Sequence, residues 1–281
     1  MWGHQFRPEY RSLAVLKELF GEVPMVALTA TATPDVREDI VRQLNLAEPS
    51  VYVGSFNREN LHYTVVPKEE GAYERLRAYL RGHRKDTGIV YVATREEAET
   101  LAARLRAGGV SALPYHAGMT AAARGETQDR FIGGKVPVVC ATSAFGMGIN
   151  KPDVRFVVHY DMPKTLEAYY QESGRAGRDG EASDCILFYN DNDARRLRSF
   201  IDRDLPSEFK REVARSKLQK IVDYCTTAGC RRKALLEYFG ERFDALPCGG
   251  CDVCAPAGTP AGKARPRPGR RKRGAVRPAS G

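Results

Sequence analysis

Two arginines three residues apart stand inside a glycine-punctuated stretch, Tyr169 to Gly180, that reads YYQESGRAGRDG. Glycines at 174, 177 and 180 let the backbone bend close to a ligand, and Arg175 and Arg178 put planar, permanently charged forks on that bend. This is phosphate chemistry: an arginine delivered to a phosphoryl group in transfer stabilises the charge developing on its oxygens, an effect of roughly 10³ to 10⁵ in rate. A solvated Gly/Arg surface loop would have the same composition, so the reading rests on what surrounds it.

A second set of reactive side chains closes the ordered sequence. Cys248-Gly-Gly-Cys251-Asp-Val-Cys254 follows Cys230, and thiolates at this spacing suit tetrahedral zinc because each short loop turns two sulfurs onto one ion. The same C-x2-C-x2-C run before Pro256 also matches the start of a bacterial iron–sulfur run, although the usual fourth cysteine after three residues is missing. The fourth ligand can be Cys225 or Cys230. Cys140 and Cys185 lie in apolar stretches and read as small buried residues.

The elements that must position these groups follow from patterning. At 281 residues with 42% apolar content the chain fits a globular protein with one large domain and smaller pieces. It has no apolar run long enough to span a bilayer and no charged-then-apolar leader, so a cytoplasmic location without a membrane partner is expected. Seven cysteines in a chain of this size do not suggest a disulfide scaffold. Of the net +9, residues 259–281 carry eight Lys or Arg and no acid, so the remainder is almost neutral and any basic face there depends on charge distribution. That Pro/Gly/Ala/Arg tail is expected to be disordered and to hold phosphates nonspecifically.

In chain order, MWGHQFRPEY crowds Trp2, His4, Phe6, Arg7 and Tyr10 together, either as a stacking surface for single-stranded nucleic acid or as a lid on a core. Glu9 to Phe20 has helical spacing, Val23 to Thr31 reads as a buried parallel strand, Thr33 caps a helix through about Leu44, and Val51 to Phe56 reads as another strand. From Leu61 strands at 61–66, 88–93, 111–116, 136–141, 154–160 and 184–189 alternate with helices at 70–82, 95–107, 120–132, 164–173 and 191–202. Such alternation demands crossover helices, and hence an α/β fold with a parallel sheet covered on both faces. Ligands on such sheets sit beyond the carboxyl ends of the strands, so His116-Ala-Gly118, Thr142 to Lys151 and Gln171 to Gly180 are expected together at one sheet edge. Arg203 to Tyr238 is helical in pattern, with Leu218, Ile221, Val222, Leu235, Leu236 and Phe239 as buried stripes.

Taken together, WGHQFRPEY, ALTATAT, YHAGM, ATSAFGMGINKPDVRFVVHYDMP, YYQESGRAGRDG and CRRKALLEYF followed by C-x2-C-x2-C resemble the RecQ family of DNA helicases, almost unbroken from Trp2 to Cys254. The resemblance implies two RecA-like lobes with ATP between them and DNA across both, followed by a zinc-binding module. It divides the chain into a remnant of the first lobe (1–57), the second RecA-like lobe (58–200), a helical zinc-binding module (201–258) and the basic tail (259–281). It makes Trp2, His4, Phe6 and Arg7 part of an aromatic-rich loop that couples DNA contact to ATP hydrolysis. Thr29 and Thr31 become a motif linking ATP and DNA functions, and His116, Thr142 and Lys151 further DNA contacts. Gly146, Gly148, Asn150, Gln171, Arg175 and Arg178 become the nucleotide-facing set, with Arg178 as the arginine finger. Cys230, Cys248, Cys251 and Cys254 become ligands of one structural Zn²⁺.

One departure bears on activity. The family's first lobe carries a glycine-rich Lys-Ser/Thr loop for the triphosphate and an Asp-Glu-x-His segment for Mg²⁺, both ahead of the aromatic-rich loop. No G-x-x-x-x-G-K-[ST] occurs in these 281 residues and no acidic pair precedes Trp2. Two readings follow: the C-terminal part of an ATP-driven 3′-to-5′ DNA-unwinding motor of recombination and repair, which needs its missing N-terminal half as partner to use ATP and Mg²⁺, or a nucleic-acid-binding or regulatory zinc module without catalysis. In either reading the chain alone is expected to be inactive as an ATPase.

Overall fold

The structure, a computed structural model, describes residues 13, 15–20, 23–146 and 149–255. Two short helices come first, α1 (Val15–Phe20) and α2 (Pro34–Gln43). The alternating region then runs β1 (Leu61–Pro67), α3 (Ala72–Gly82), β2 (Thr87–Tyr91), α4 (Arg95–Ala107), β3 (Ala112–Tyr115), α5 (Ala121–Ile132), β4 (Val138–Ala141), β5 (Val154–His159), α6 (Leu166–Ser173) and β6 (Ser183–Tyr189). Three helices follow: α7 (Asp191–Asp204), α8 (Glu208–Thr226) and α9 (Arg231–Tyr238).

The helices start where the sequence supplies caps. Thr94 accepts from the Glu97 amide in a full capping box, and Thr120, Thr165, Asn190 and Ser207 each accept from the amide three residues on. Thr33 is the N-cap of α2 with Pro34 behind it, but its hydroxyl makes no capping bond.

All six strands are parallel, in the order β1-β6-β5-β2-β4-β3. Alternate residues feed opposite faces, as a two-sided sheet requires. Val90, Val92, Val138, Cys140, Phe156 and Val158 pack under α3 and α4. Ile89, Tyr91, Val139, Ala141, Val157 and Cys185 meet the buried side chains of α5, α6, α8 and α9 on the other face. That second cluster contains Leu218, Ile221, Tyr224, Leu235, Leu236, Phe239 and Cys251, so the cysteine module and the sheet share one continuous apolar core.

The two strands expected before Leu61 do not form. Residues 24–29 and 51–58 take no regular secondary structure and have no ladder partners, and Val26, Leu28 and Tyr52 are 77%, 89% and 93% exposed. Their apolar sequence suits a buried strand, but a strand needs a neighbouring strand to complete its ladder, and among the described residues neither segment has one. The expected helix from Glu9 is described only over Val15–Phe20, and the tail from 259 lies outside the described residues.

Candidate phosphate site and metal centre

In a parallel sheet, a loop that precedes a strand lies at its amino end. The arginine turn precedes β6 and is pinned there: the Gly177 amide donates to the carbonyl of Val154, the first residue of β5, at 2.8 Å. Gly177 has φ +55°, and a Cβ there would come within 2.3 Å of Asn60 Nδ2 and 2.7 Å of the Glu181 carbonyl, so only glycine fits. His116 and Thr142 instead sit at the carboxyl ends of β3 and β4. The expected gathering of three loops at one edge is therefore corrected: a loop after β4 and a turn before β6 start from opposite ends of a parallel sheet. Residues 142–151 bridge the ends, leaving β4 and entering β5.

The guanidinium groups reach back to that bridge. Arg175 Nη1 donates to the Gly146 carbonyl at 2.6 Å, and Arg178 Nη1 donates to the Ile149 carbonyl at 2.9 Å. The loop is held from the sheet side by Tyr91, whose hydroxyl donates to the Phe145 carbonyl at 2.7 Å. Gly146 makes room for Arg175: a Cβ there would lie 2.3 Å from Nη2, so a larger residue would displace the guanidinium. Arg58, which sequence patterning did not single out, donates to the carbonyls of Gly174, Ala176 and Gly177 at 3.4, 3.1 and 2.6 Å. Among the described residues none of these three arginines pairs with a carboxylate. Partial burial, then Arg175 and then Arg58 lower the pKa of Arg178, which is the signature of crowded, uncompensated positive charge. An anion would relieve it.

Helix α6 sets the rest of this surface. Its buried side carries Glu172 against His159 at 2.9 Å, with Tyr91 stacked on His159 at 5.2 Å, while its exposed side presents Gln171. Gln171 Nε2 donates to Thr31 Oγ1 at 2.7 Å, and Thr29 Oγ1 donates to the Thr31 carbonyl at 3.1 Å.

The four-cysteine group is equally definite. The Sγ atoms of Cys230, Cys248, Cys251 and Cys254 all lie within 4.8 Å of one another, with Cys248 to Cys251 at 3.5 Å and Cys251 to Cys230 at 4.0 Å. Sulfurs at the corners of a tetrahedron with metal–sulfur bonds of about 2.3 Å stand about 3.8 Å apart, so the set fits a zinc-sized ion. The Cys248 thiol, donating to Cys251, pulls the Cys251 thiol down to about 4 and is itself pushed up, while burial raises Cys254. Four thiolates this close need a cation between them. Cys225 stands outside the group, buried in the core with its thiol pushed up to about 12 by desolvation. Cys230 caps α9 by accepting from the Lys233 amide at 3.4 Å, a helix N-terminus that favours thiolate.

Behind Cys230, the two buried arginines of α9 tie the module down. Arg231 pairs with Asp252 at 3.0 Å, and Arg232 donates to Asn57 Oδ1 at 2.7 Å and to the Arg58 carbonyl at 2.6 Å. The cysteine loop also lies along the open edge of β1, where the Tyr63 amide donates to the Gly250 carbonyl and the Asp252 amide returns a bond to the Tyr63 carbonyl, each at 3.0 Å. A sheet edge is thereby covered.

Residues 71–180 match the helicase conserved C-terminal domain, and residues 191–255 match the RecQ zinc-binding domain. The chain belongs to the RecQ family. An ATP-dependent DNA helicase RecQ of Pasteurella multocida (strain Pm70) is 46% identical over 253 residues, covering 90% of this chain and 40% of the relative. A RecQ-like DNA helicase BLM of Xenopus laevis is 47% identical over 246 residues, covering 85% of this chain and 18% of the relative. The chain thus spans two fifths or less of the length of these curated relatives. In fold it is similar to Saccharomyces cerevisiae Dbp5 L327V bound to RNA and ADP BeF3, with a TM-score of 0.58 at 21% identity over 80% of this chain and 61% of that one.

The remaining residues expected from the RecQ resemblance are distributed as follows. Thr142 lines an open cleft of about 710 Å³ with Ala93 to Glu96, Ala117, Ser143 and Ala144, at the carboxyl ends of β2, β3 and β4. His116, next to Ala117 of this cleft, is 4% exposed, its Nε2 at 3.0 Å from Glu99 and its Nδ1 without a partner. Exposed Arg95, not anticipated from the sequence, packs over the turn, where a Cβ on Gly118 would lie 3.1 Å from its Nη1. Lys151 differs from expectation: it is 6% exposed, its ammonium 3.1 Å from Asp153, so its charge supports the entry to β5. Asn150 is exposed. Trp2, His4, Phe6, Arg7 and Gly148 lie outside the described residues.

Proposed function

We propose that this chain supplies the second RecA-like lobe and the zinc module of an ATP-dependent 3′-to-5′ DNA helicase of RecQ type, acting in recombination and repair. The observation that carries the reading is the uncompensated cluster of Arg58, Arg175 and Arg178, whose two turn arginines are braced on the loop carbonyls of Gly146 and Ile149. Such a cluster suits a polyphosphate arriving from a first lobe. ATP bound with Mg²⁺ on that lobe would supply the phosphoryl group whose transfer drives the motor. In this arrangement Arg178 is the finger that stabilises the developing charge, Arg175 fixes the loop through Gly146, and Gln171 links the nucleotide side to Thr31 and Thr29. The cleft bearing Thr142 and Arg95 suits a DNA backbone, because its backbone and hydroxyl donors sit beside a cation. One Zn²⁺ on Cys230, Cys248, Cys251 and Cys254 plays a structural role. No described helix is long and apolar enough to cross a membrane, and a DNA motor of this kind would work in the cytoplasm at the nucleoid.

The 281 residues contain no G-x-x-x-x-G-K-[ST], which favours a second reading for the chain by itself: a nucleic-acid-binding module without turnover. Both readings are separated by one experiment. The chain alone should show no DNA-stimulated ATP hydrolysis, whereas the chain joined to a first lobe bearing the triphosphate loop and Asp-Glu-x-His should turn over. Arg178→Ala in that joined protein should cost roughly 10³-fold or more in kcat with little change in nucleotide affinity. Hydrolysis by the isolated chain, lost on Arg178→Ala, would overturn the assignment of the triphosphate site to another lobe.

A further inference from the structure

We propose that Arg58 is a positioning residue for the arginine turn, and that Arg232 of the cysteine module holds Arg58 in place, so that the metal module sets the geometry of Arg175 and Arg178. The connection is continuous and short. Cys230 caps α9, and Arg232 follows it by two residues inside the first turn of that helix. Arg232 is 3% exposed, and its fork binds Asn57 Oδ1 at 2.7 Å, the Arg58 carbonyl at 2.6 Å and the Leu61 carbonyl at 2.5 Å. Three acceptors on the 57–61 segment fix that backbone. The Arg58 side chain leaves it toward the arginine turn and holds the three carbonyls of Gly174, Ala176 and Gly177. Asn60 adds bonds to the Gly177 and Glu181 carbonyls, both at 2.8 Å.

The chemistry is specific to guanidinium. A turn with three carbonyls gathered on one side is electrostatically unfavourable by itself, and the planar fork reaches all three from two separate nitrogens, whereas an ammonium carries its three donors on a single atom at the end of a shorter stem. The same fork places a third positive charge beside Arg175 and Arg178, so Arg58 holds the turn and keeps the site cationic. Loss of Arg232 frees the segment that aims Arg58 without touching the turn itself. The module thereby acts on the site from its own core, through backbone rather than through ligand contact.

The inference rests on the phosphate reading for its functional meaning, but its structural test does not. Amide hydrogen exchange of the full chain, followed at residues 174–178 and at the central strands β2 and β4, reads the turn directly. Arg58→Gln and Arg232→Gln should each speed exchange of the Gly177 amide about tenfold to a hundredfold, as loss of charge-assisted bonds predicts, with β2 and β4 unchanged. Arg58→Lys should rescue little, since it keeps the charge and loses the fork, and added methylguanidinium should restore protection in Arg58→Ala. Arg178→Ala should leave Gly177 protected, and in the protein joined to a first lobe it should lower kcat with little change in nucleotide affinity, which tests the phosphate reading separately. Unchanged exchange at Gly177 in Arg58→Gln would overturn the positioning role. A loosened turn in Arg58→Gln but not in Arg232→Gln would overturn the link to the module. Proportionate loosening of β2 and β4 in every variant, Arg58→Lys included, would reduce the effect to global stability and overturn both.

Discussion

Removing the metal from the four cysteines should unzip one edge of the sheet, amide by amide. Strand β1 has β6 on one side, and on the other, among the described residues, the cysteine loop together with Arg232 at the Leu61 carbonyl: the Tyr63 amide reaches the Gly250 carbonyl at 3.0 Å and the Val65 amide reaches Asp252 Oδ2 at 2.9 Å. Strand alternation turns the amides of Thr64 and Val66 toward β6. Without the ion, four sulfurs within 4.8 Å repel as they ionise, and the 248–254 loop loses its fixed shape. A neutral backbone bond contributes about 1 kcal/mol net and a bond to a carboxylate about 1.5–3 kcal/mol, so exchange should rise about fivefold at Tyr63 and about tenfold to a hundredfold at Val65. Thr64 and Val66 should change far less, because β6 has its own core. The assay is residue-resolved hydrogen exchange on chelator-treated chain and on Cys251→Ser, with metal loss verified by elemental analysis. Equal protection of Tyr63 and Val65 before and after metal loss would refute the argument, and so would a uniform rise at all four amides.

Cys225→Ser should leave the metal content unchanged, since its sulfur stands outside the group; loss of the ion in that variant would break the ligand assignment. Deleting residues 259–281 removes eight positive charges, so a plot of log DNA affinity against log salt should flatten markedly; an unchanged slope would make the tail a bystander. Gly88→Ala should destabilise by about 1–3 kcal/mol, because the new Cβ would fall 2.0 Å from Phe156 Cε2 in the sheet core. Gly125→Ala, in α5 with open space around it, should instead stabilise by about 0.5–1 kcal/mol, and thermal melts of the pair read both signs.

The parts of the fold legible in the sequence are those where local pattern and tertiary setting agree. All six strands and five helices between Leu61 and Asp204 lie where hydrophobic period and caps put them, within a few residues. Val23 to Thr31 and Val51 to Phe56 have equally good strand sequences, yet they join no ladder and, Phe56 apart, leave most of their large apolar side chains exposed, because a strand is completed by its neighbour and not by its own residues. Glycine spacing and short thiolate loops marked Arg175, Arg178, Cys248, Cys251 and Cys254 locally, whereas Cys230 in place of Cys225 and the nucleotide role of the arginines came from the RecQ resemblance. Arg58 and Arg232 were not marked: their partners lie more than a hundred residues away in sequence, and an arginine in FNREN or CRRK looks like any solvated cation until the carbonyls it serves are seen. A signal existed in retrospect. Two adjacent arginines stand directly behind a ligand cysteine on a short helix whose next turn is apolar, and both turn inward.

The shared core explains why this module is built as it is. Residues 208–255 contain two helices and a cysteine loop, too little apolar surface to fold securely alone. The module instead borrows the sheet: Leu218, Ile221, Tyr224 and Phe239 are buried against the face that also carries Tyr63, Tyr169 and Leu187. Phe56 stacks on Phe239 at 4.7 Å, and Glu241 accepts from Ser55 Oγ and the Phe56 amide at 2.7 and 2.6 Å, so the segment leading into β1 is bound to the module as well. An ion at the cysteines then need not hold a separate domain together. It fixes the direction of α9, and with it two buried guanidiniums whose desolvation is tolerable only while every acceptor stays in place. Metal stability and the shape of the arginine turn are for that reason one structural problem, and a substitution that relaxes the first should be sought in the second.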